Sequence, residues 1–266
     1  MSSAPKTYDT DEMNKWVNDA MQDSLTIPYD DAQSAALLRR RQIIERMVGF
    51  KELLMMHACA IKEIRTKLEI LNTEFNLRYH RNPIHSINTR LKSVASIASK
   101  MEKYGKPFTI EDIDENMHDI AGVRVICPYI DDIYTIADAI LRQDDITYVE
   151  KKDYIRSPKP NGYRSLHLIV RVPVFFADRR KDMTVEIQIR TIAMDFWASL
   201  EHQLRYKEDA DIDTEILDRL RECAITINET DREMLAIRCQ LEKIADKPSE
   251  EELLMERFAK IDMSLL

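Results

Sequence analysis

The hydropathy period of this chain changes at Asn82-Pro83, and this change constrains the possible fold more than any other feature. From about Ala35 to Arg78, apolar residues recur three and four positions apart, which predicts helix with Gly49 as a point of division into two. After Pro83, short apolar runs of strand period alternate with short helical segments. This order predicts an α/β (α+β) chain with a mixed sheet of roughly five strands flanked by helices.

The predicted organisation has four parts. They are a loosely ordered segment (1–34), N-terminal helices (35–82), a compact core (83–207) and acidic C-terminal helices (208–266). The pattern predicts strands at 84–92, 119–129, 146–155, 163–174 and 183–191, and helices at 93–104, 131–143, 192–207, 213–244 and 249–260. A single domain with helical arms at both ends is therefore expected.

Acidic charge is concentrated at the C-terminal end of the chain. The net charge is −8, and residues 208–266 alone hold 17 Asp and Glu against 8 Lys and Arg. Such a surface argues against nucleic-acid binding, which needs a basic face. No apolar run reaches the ~18 residues of a membrane span, and the first residues do not resemble a secretory leader. Because the four cysteines are widely spaced, we expect a cytoplasmic protein with reduced thiols.

Strand alternation places several polar side chains on shared faces. In "VEIQIR", Glu186, Gln188 and Arg190 point one way and the apolar residues the other. In "YRSLH", Tyr163 and His167 share a face, together with the serine between them. Scarce glycines stand beside two of these runs. Gly122 removes a side chain between Asp119 and Arg124, and Gly162 opens the "YRSLH" run.

These residue types suit phosphoryl or pyrophosphoryl transfer. Two carboxylates, Asp119 and Glu186, can hold Mg²⁺, which prefers oxygen ligands. Cations near them can neutralise polyphosphate charge, which is most of the catalytic work in such reactions. The candidate cations are Arg90, Lys92, Lys100, Arg124, Lys152 and Lys159. The chain contains no P-loop and no protein-kinase signature.

The same residues also fit a simpler interpretation. A single Lys or Arg is usually a solvated surface residue, and Glu186 could belong to a surface ion pair. His167 and Tyr163 could both be structural residues of a strand. From the residues alone, a nucleotide-dependent transferase and a generic α/β binding domain both stay open.

Three segments make a specific resemblance. "HDIAGVRVICPYIDDIYTIAD", "DYIRSPKPNGYRSLHLIVRVPV" and "VEIQIRTIAMDFWASLEHQLRYK" resemble the synthetase domain of the RelA/SpoT alarmone enzymes. The chain is most similar to the short members, called small alarmone synthetases, and among them to the RelP branch. The resemblance runs from about Lys51 to Lys243, and it implies a nucleotidyltransferase-like fold with 83–207 as the catalytic core.

The resemblance implies a GTP pyrophosphokinase of the stringent response. Such an enzyme transfers the β,γ-pyrophosphate of ATP to the ribose 3′-OH of GTP or GDP, giving pppGpp or ppGpp and AMP. Asp119 matches the Mg²⁺ ligand, and Glu186 matches a second acidic residue that contacts the metal and activates the 3′-OH. The resemblance also implies homotetramers formed through the terminal helices.

The resemblance assigns the other site residues to two nucleotides. Arg90 and Arg124 match a pair that sandwiches adenine, which suits planar guanidinium groups. The residues that match the phosphate side of ATP are Lys92, Ser96 and Lys100. On the acceptor side, Tyr163 matches the residue that stacks on guanine. The residues that match the group holding the 5′-phosphates are Lys152, Lys159 and His167. Gln188 is expected to support the site. Gly162 is expected to let the backbone approach the acceptor nucleotide closely.

Three positions depart from the pattern of the related RelQ branch. There, a Phe, a Thr and an Asn line an inter-subunit cleft that binds product as an activator; here Ser86, Asn88 and Asp195 stand at those positions. A carboxylate should repel a polyphosphate, so we expect no strong product activation. Two alternatives to GTP pyrophosphokinase activity remain: another acceptor, either an adenosine nucleotide or the 3′ end of tRNA, and an inactive nucleotide-binding regulator.

Overall fold

The structure is a computed structural model that describes residues 31–206 and 214–245. By its contacts the chain divides into two compact units, Met1–Lys51 and Glu52–Leu266. The helices are α1 (Asp31–Tyr79), α2 (Val94–Lys103), α3 (Ile110–Asn116), α4 (Ile130–Leu141), α5 (Ile192–Tyr206) and α6 (Thr214–Ala245). The strands are β1 (Ser86–Leu91), β2 (Ala121–Cys127), β3 (Thr147–Asp153), β4 (Leu166–Phe175) and β5 (Arg180–Thr191).

The five strands form one mixed sheet in the order β1-β2-β5-β4-β3. β2 pairs with β5 in parallel, and the other three pairings are antiparallel. The parallel pair lies inside the sheet, with an antiparallel neighbour on each side. The prediction of a mixed five-stranded sheet flanked by helices is confirmed.

The core lies where helices cover the central strands. On β5, Val185, Ile187 and Ile189 are fully buried, as strand alternation requires. α4 packs against β5 and β2 through a buried stripe that includes Ile133, Ile136 and Ile140. Helical periodicity of three and four residues brings that stripe onto one face. The face of β5 opposite Val185 is therefore left for polar side chains.

Local sequence signals fix the ends of the short helices. Ser93 caps α2, since its hydroxyl accepts a hydrogen bond from the Ser96 amide, and Gly105 follows the helix at φ +62°. Thr109 caps α3 in the same way by accepting from the Asp112 amide. The T-x-x-D pattern at 109–112 was a readable start signal for α3, which the sequence interpretation missed.

Two predictions about the first helix were wrong. α1 begins at Asp31 rather than near Ala35, and it passes through Gly49 without a break. One glycine inside a helix costs only about 1 kcal/mol relative to alanine, which the neighbouring residues can offset. The predicted helix 249–260 and the loosely ordered residues 1–30 lie outside the described residues. The predicted domain boundaries stay predictions.

An ion-pair cluster anchors α6 near the start of α4. Asp132 is fully buried and pairs with Arg81 and, at 4.0 Å, with Arg238. Arg238 also donates to Asp131 at 2.5 Å and lies 4.6 Å from the Tyr129 ring centroid. A buried carboxylate needs such partners, because losing them would leave an uncompensated charge. The cluster therefore fixes the C-terminal half of α6 against the core.

Two further features of the structure are the lengths of its helices and the state of its cysteines. No helix among residues 31–206 and 214–245 is both long and apolar enough to cross a bilayer. All four cysteines carry free thiols. Burial raises the pKa of the Cys127 thiol to about 12, so this thiol stays protonated at neutral pH.

The buried His57 makes stability depend on pH. Burial lowers its pKa from 6.5 to about 4. Because the unfolded chain then binds the proton more readily, the stability from neutral His57 is present above pH 6.5 and is lost toward pH 4. We expect a loss on the order of 3 kcal/mol over that range, measured by denaturant unfolding. His57→Leu should flatten the acid dependence, whereas His85→Leu, at an exposed position, should leave it unchanged. Equal acid dependence in wild type and His57→Leu would refute the assignment.

Candidate active site

A row of three residues across β1, β2 and β5 forms the floor of a cleft. Arg90 is the register partner of Gly122, and Gly122 is the partner of Glu186. A Cβ on Gly122 would lie 3.4 Å from the Arg90 carbonyl oxygen, so the glycine leaves the space between its neighbours open. The cleft has a volume of about 260 Å³. It is lined by Asn88, Thr89, Arg90, Lys92, Asp119, Gly122, Val123, Arg124, Glu186 and Gln188.

Asp119 lies just before β2 and is held by two lysines. The ammonium groups of Lys92 and Lys100 both lie 2.8 Å from Asp119 Oδ2. Burial alone would raise the pKa of this carboxyl, but the hydrogen bonds from Lys100 and Lys92 bring it below the ordinary value. Asp119 is therefore ionised at neutral pH. Its other oxygen, Oδ1, is buried without a hydrogen-bond partner among the described residues.

Glu186 is held by a donor at each of its oxygens. The His167 Nδ1 atom lies 3.1 Å from Oε1, and the Gln188 amide donates to Oε2 at 3.0 Å. Burial raises the pKa of this carboxyl, but the hydrogen bond from His167, together with that from the Gln188 amide, lowers it below the usual value overall. Glu186 is therefore an ionised carboxylate of fixed orientation.

These two carboxylates fit a Mg²⁺ ion. Mg²⁺ is usually held by one or two carboxylates together with substrate phosphates, so it needs no large protein cage. Among residues 31–206 and 214–245, no three His, Cys, Asp or Glu side chains cluster as a metal site. The unpartnered Asp119 Oδ1 is an open oxygen ligand. The donor set therefore suits a hard cation that brings phosphate oxygens of its own.

The predicted phosphate-side residues are only partly brought together. Lys92 lines the cleft, and Lys100 reaches it through Asp119. Ser96 does not line the cleft; its hydroxyl lies 2.9 Å from that of Ser93 in the first turn of α2. Arg90 and Arg124 both line the cleft, on neighbouring strands and two register positions apart.

The predicted acceptor residues form a second group beside the cleft. The Tyr163 hydroxyl lies 2.9 Å from His167 Nε2, so these two residues are in contact, although Tyr163 precedes β4 and the predicted strand start at residue 163 is wrong. The Lys159 ammonium lies 4.9 Å from the Tyr163 ring centroid and 4.7 Å from that of Tyr154. Lys152 is the register partner of His167 on β3 and pairs with Glu150.

Tyr154 is a site neighbour that the sequence interpretation did not assign. Its ring meets the Tyr163 ring edge to face at 6.1 Å and the His167 ring at 5.3 Å. Tyr154 therefore adjoins the Tyr163–His167 pair, and the exposed Lys159 lies beside both tyrosine rings. The "DYI" segment gave no signal of this role, because the contact depends on the turn that brings residues 154 and 163 together.

Arg190 is the other unassigned residue, although alternation had placed it on the face of Glu186. It is 4% exposed and contacts Tyr163, Gln188, Asp195 and Ser165. The sequence did offer a signal for this role, because Arg190 is a charged residue near the end of β5, shortly before α5 begins. Burial of an arginine is rare unless its donors are satisfied.

Asp195 is not the bare carboxylate that the sequence suggested. Its Oδ1 lies 3.1 Å from Arg190 and 3.3 Å from Arg124. Two guanidinium groups neutralise the charge, so repulsion of a polyphosphate is no longer a sufficient argument. The expectation of no strong product activation loses that reason and stays a prediction.

The close approach expected at Gly162 exists, but its partner is a helix. Gly162 has φ +90°, and a Cβ built there would lie 2.6 Å from the Ala224 side chain of α6. Trp197 fixes the same contact region by donating to the Leu220 carbonyl at 2.9 Å, and Tyr163 packs against this cluster. The expectation that Gly162 makes room for a nucleotide is thus corrected: it makes room for α6.

A family model and a curated relative both match this sequence, and they agree on the family. Residues 89–211 match the model "Region found in RelA / SpoT proteins". The chain is 43% identical over 196 residues to the GTP pyrophosphokinase YwaC of Bacillus subtilis, covering 74% of this chain and 93% of that protein.

Two solved structures extend the comparison. The small alarmone synthetase 1 of Bacillus subtilis bound to its product pppGpp matches with a TM-score of 0.67 and 35% identity, covering 72% of this chain and 97% of that one. The same enzyme bound to AMPCPP matches with a TM-score of 0.63 and 33% identity over 73% and 98%.

The class of protein follows first from the site. Ionised carboxylates beside cations that can neutralise phosphate define an enzyme of phosphoryl or pyrophosphoryl transfer. Since it also matches nearly the whole length of a GTP pyrophosphokinase, the chain belongs to the RelA/SpoT family and is an enzyme of the small alarmone synthetase type.

Substitution of Gly162 should separate steric contact from backbone strain. Gly162→Ala combines a positive φ with the collision at Ala224, so we expect a loss of about 2–4 kcal/mol in the free energy of unfolding. Gly105→Ala is the matched control, because Gly105 has φ +62° and nothing within 4 Å of a built Cβ; it should lose about 1 kcal/mol. Adding Ala224→Gly should recover part of the loss at Gly162 only. Equal losses at the two glycines would contradict the contact.

Proposed function

We propose that this enzyme transfers the β,γ-pyrophosphate of ATP to the ribose 3′-OH of GTP or GDP, giving pppGpp or ppGpp and AMP. The observation that carries this proposal is the pair of ionised carboxylates, Asp119 and Glu186, at the Gly122 cleft. Membership of the family supports the reaction, and the solved relatives bound to AMPCPP and pppGpp support nucleotides as substrates.

The donor nucleotide is assigned to the β1–β2 side of the cleft. Arg90 and Arg124 line it from adjacent strands and are proposed to stack on the two faces of adenine. Lys92 and Lys100, already gathered at Asp119, are proposed to face the phosphates, with Ser96 at the first turn of α2. Their charge would offset the growing negative charge of the transferred group.

The acceptor nucleotide is assigned to the β3–β4 side. Tyr163 is proposed to stack on guanine, since its ring is half-buried and its hydroxyl is fixed by His167. Lys152, Lys159 and His167 are proposed to hold the 5′-phosphates; His167 would have to exchange its contact with the Tyr163 hydroxyl to do so. Lys159 now lies close to the Tyr163 ring centroid, so acceptor binding would require it to exchange that contact for phosphate.

Glu186 is proposed as the general base. Each of its oxygens has accepted one hydrogen bond and keeps one lone pair, so it can take the proton of the 3′-OH. The freed oxygen then forms a bond to the β-phosphorus of ATP while the bond from that phosphorus to the AMP oxygen breaks. Mg²⁺, which Asp119 and Glu186 would hold, supplies Lewis-acid stabilisation of the phosphate oxygens.

We further propose a cytoplasmic homotetramer assembled through the terminal helices. α6 exposes large apolar side chains of the kind that oligomer interfaces cover. They are Ile216, Ile225, Met234, Ile237 and Leu241.

A direct assay tests the reaction. The purified protein is incubated with ATP and Mg²⁺ and with GTP, GDP, GMP or tRNA in turn, and the nucleotides are separated by chromatography. We expect pppGpp from GTP and ppGpp from GDP, with one AMP released per product. Product only with tRNA or an adenosine nucleotide would assign a different acceptor. No product with any acceptor would favour an inactive nucleotide-binding regulator.

Removal of the proposed base should abolish the chemistry while keeping the fold. Glu186→Gln keeps the volume but cannot take a proton, and its amide nitrogen would replace one of the two accepting oxygens, so kcat should fall by roughly 100-fold or more. The melting temperature should change by only a few degrees. Glu63→Gln, at an exposed position on α1, is the matched control and should keep full activity. Substantial turnover by Glu186→Gln would assign the base elsewhere.

A further inference from the structure

The guanidinium group of Arg190 donates hydrogen bonds to four polar side chains next to the cleft. Its Nη2 atom lies 2.5 Å from the Tyr163 hydroxyl and 3.0 Å from Gln188 Oε1. Nη1 lies 3.1 Å from Asp195, and Nε lies 3.4 Å from the Ser165 hydroxyl. Arg190 therefore touches neither Glu186 nor the cleft, yet each of its three nitrogens has a partner.

A first route of hydrogen bonds leads from Arg190 to Glu186. An arginine can only donate, so the Tyr163 oxygen accepts from Arg190, which leaves the Tyr163 hydrogen available for donation to His167 Nε2, 2.9 Å away. An ionised carboxylate can only accept, so His167 Nδ1 donates to Glu186 Oε1 at 3.1 Å. The Glu186 end of the route requires a hydrogen on His167 Nδ1, and donation from the Tyr163 hydroxyl to Nε2 is compatible with that placement.

A second route reaches the other oxygen of the same carboxylate. Arg190 Nη2 donates to Gln188 Oε1, which fixes the Gln188 amide so that its nitrogen faces Glu186. That nitrogen donates to Glu186 Oε2 at 3.0 Å. Both routes therefore begin at one nitrogen of Arg190 and end on the two oxygens of Glu186.

Burial and counter-charge keep the origin of the routes fixed. Arg190 is 4% exposed, and Asp195 supplies the charge that a buried guanidinium needs. Asp195 in turn pairs with Arg124 on the donor side of the cleft. The guanidinium group thus has little freedom to turn, and its fork geometry suits several acceptors at once.

We propose that Arg190 is the positioning residue of the general base, orienting both oxygens of Glu186 through Tyr163–His167 and through Gln188. This inference rests on the proposed role of Glu186 in pyrophosphoryl transfer. It adds a residue that contacts no substrate group and acts on the reaction only through other side chains. Catalysis depends steeply on such placement, since small displacements of a reacting group cost large factors in rate.

Arg190→Lys is the decisive variant, because lysine keeps the positive charge but cannot supply the planar fork. We expect kcat to fall by about tenfold or more while the KM for ATP and the KM for GTP each stay within about threefold. Arg180→Lys is the matched control on the same strand, at an exposed position, and should leave all three constants unchanged.

The protonation state of His167 gives a measurement that does not depend on turnover. In nitrogen NMR of the imidazole, wild-type His167 should carry its hydrogen on Nδ1. Arg190→Lys should shift the Nε2 resonance of His167, although residue 190 does not touch that ring, and Arg180→Lys should not. This spectrum also separates two failures: an inactive wild type refutes the proposed function, while the His167 response still decides whether Arg190 acts along the route.

Asp195→Asn provides a second variant if Arg190→Lys melts below the assay temperature. It keeps the volume of residue 195 but removes the counter-charge, so it should release Arg190, lower kcat and shift the same His167 resonance. The proposal is overturned if kcat falls by less than about threefold, if the loss lies in KM, or if the His167 resonance does not move.

Discussion

The parallel pairing of β2 with β5 is the constraint on which the site depends. It sets Gly122 beside Glu186, while the antiparallel neighbour β1 sets Arg90 on the other side of the same glycine. Without a side chain at residue 122, the row opens into the cleft. The packing of α4 on one face of these strands leaves the opposite face for this polar row. Fold and site therefore share one cause.

Electrostatics then gives the cleft its chemistry. Two carboxylates lie partly buried in the cleft, where burial alone would raise their pKa values. Lysines keep Asp119 ionised, and the donors on Glu186 do the same for the second carboxylate. Asp119 Oδ1 has no hydrogen-bond partner among the described residues, and each oxygen of Glu186 accepts one hydrogen bond. Hydrogen bonds among the neighbours, with Arg190 at their origin, keep the second carboxylate from turning.

Much of this arrangement was readable from local patterns. Alternation correctly placed Glu186 with Gln188, since side-chain direction in a strand is a local property. Tyr163 also contacts His167, but β4 begins only at Leu166, so the segment before the strand brings these two residues together. The Ser93 cap and the end of α2 at Gly105 were equally local. The roles of the nucleotide-binding residues came from family resemblance and stay proposals. Periodicity showed which residues share a strand face but not which residues from other elements contact them.

The sequence by itself determined the mixed sheet, the shared strand faces and the two carboxylates, because period and residue type act over a few neighbouring positions. Only the tertiary structure decided that Gly162 faces Ala224, that Asp195 is neutralised by two arginines, and that Arg190 stands behind Glu186. These contacts join residues brought together by strand pairing and helix packing. Their register is fixed by burial over the whole core, which no local segment encodes.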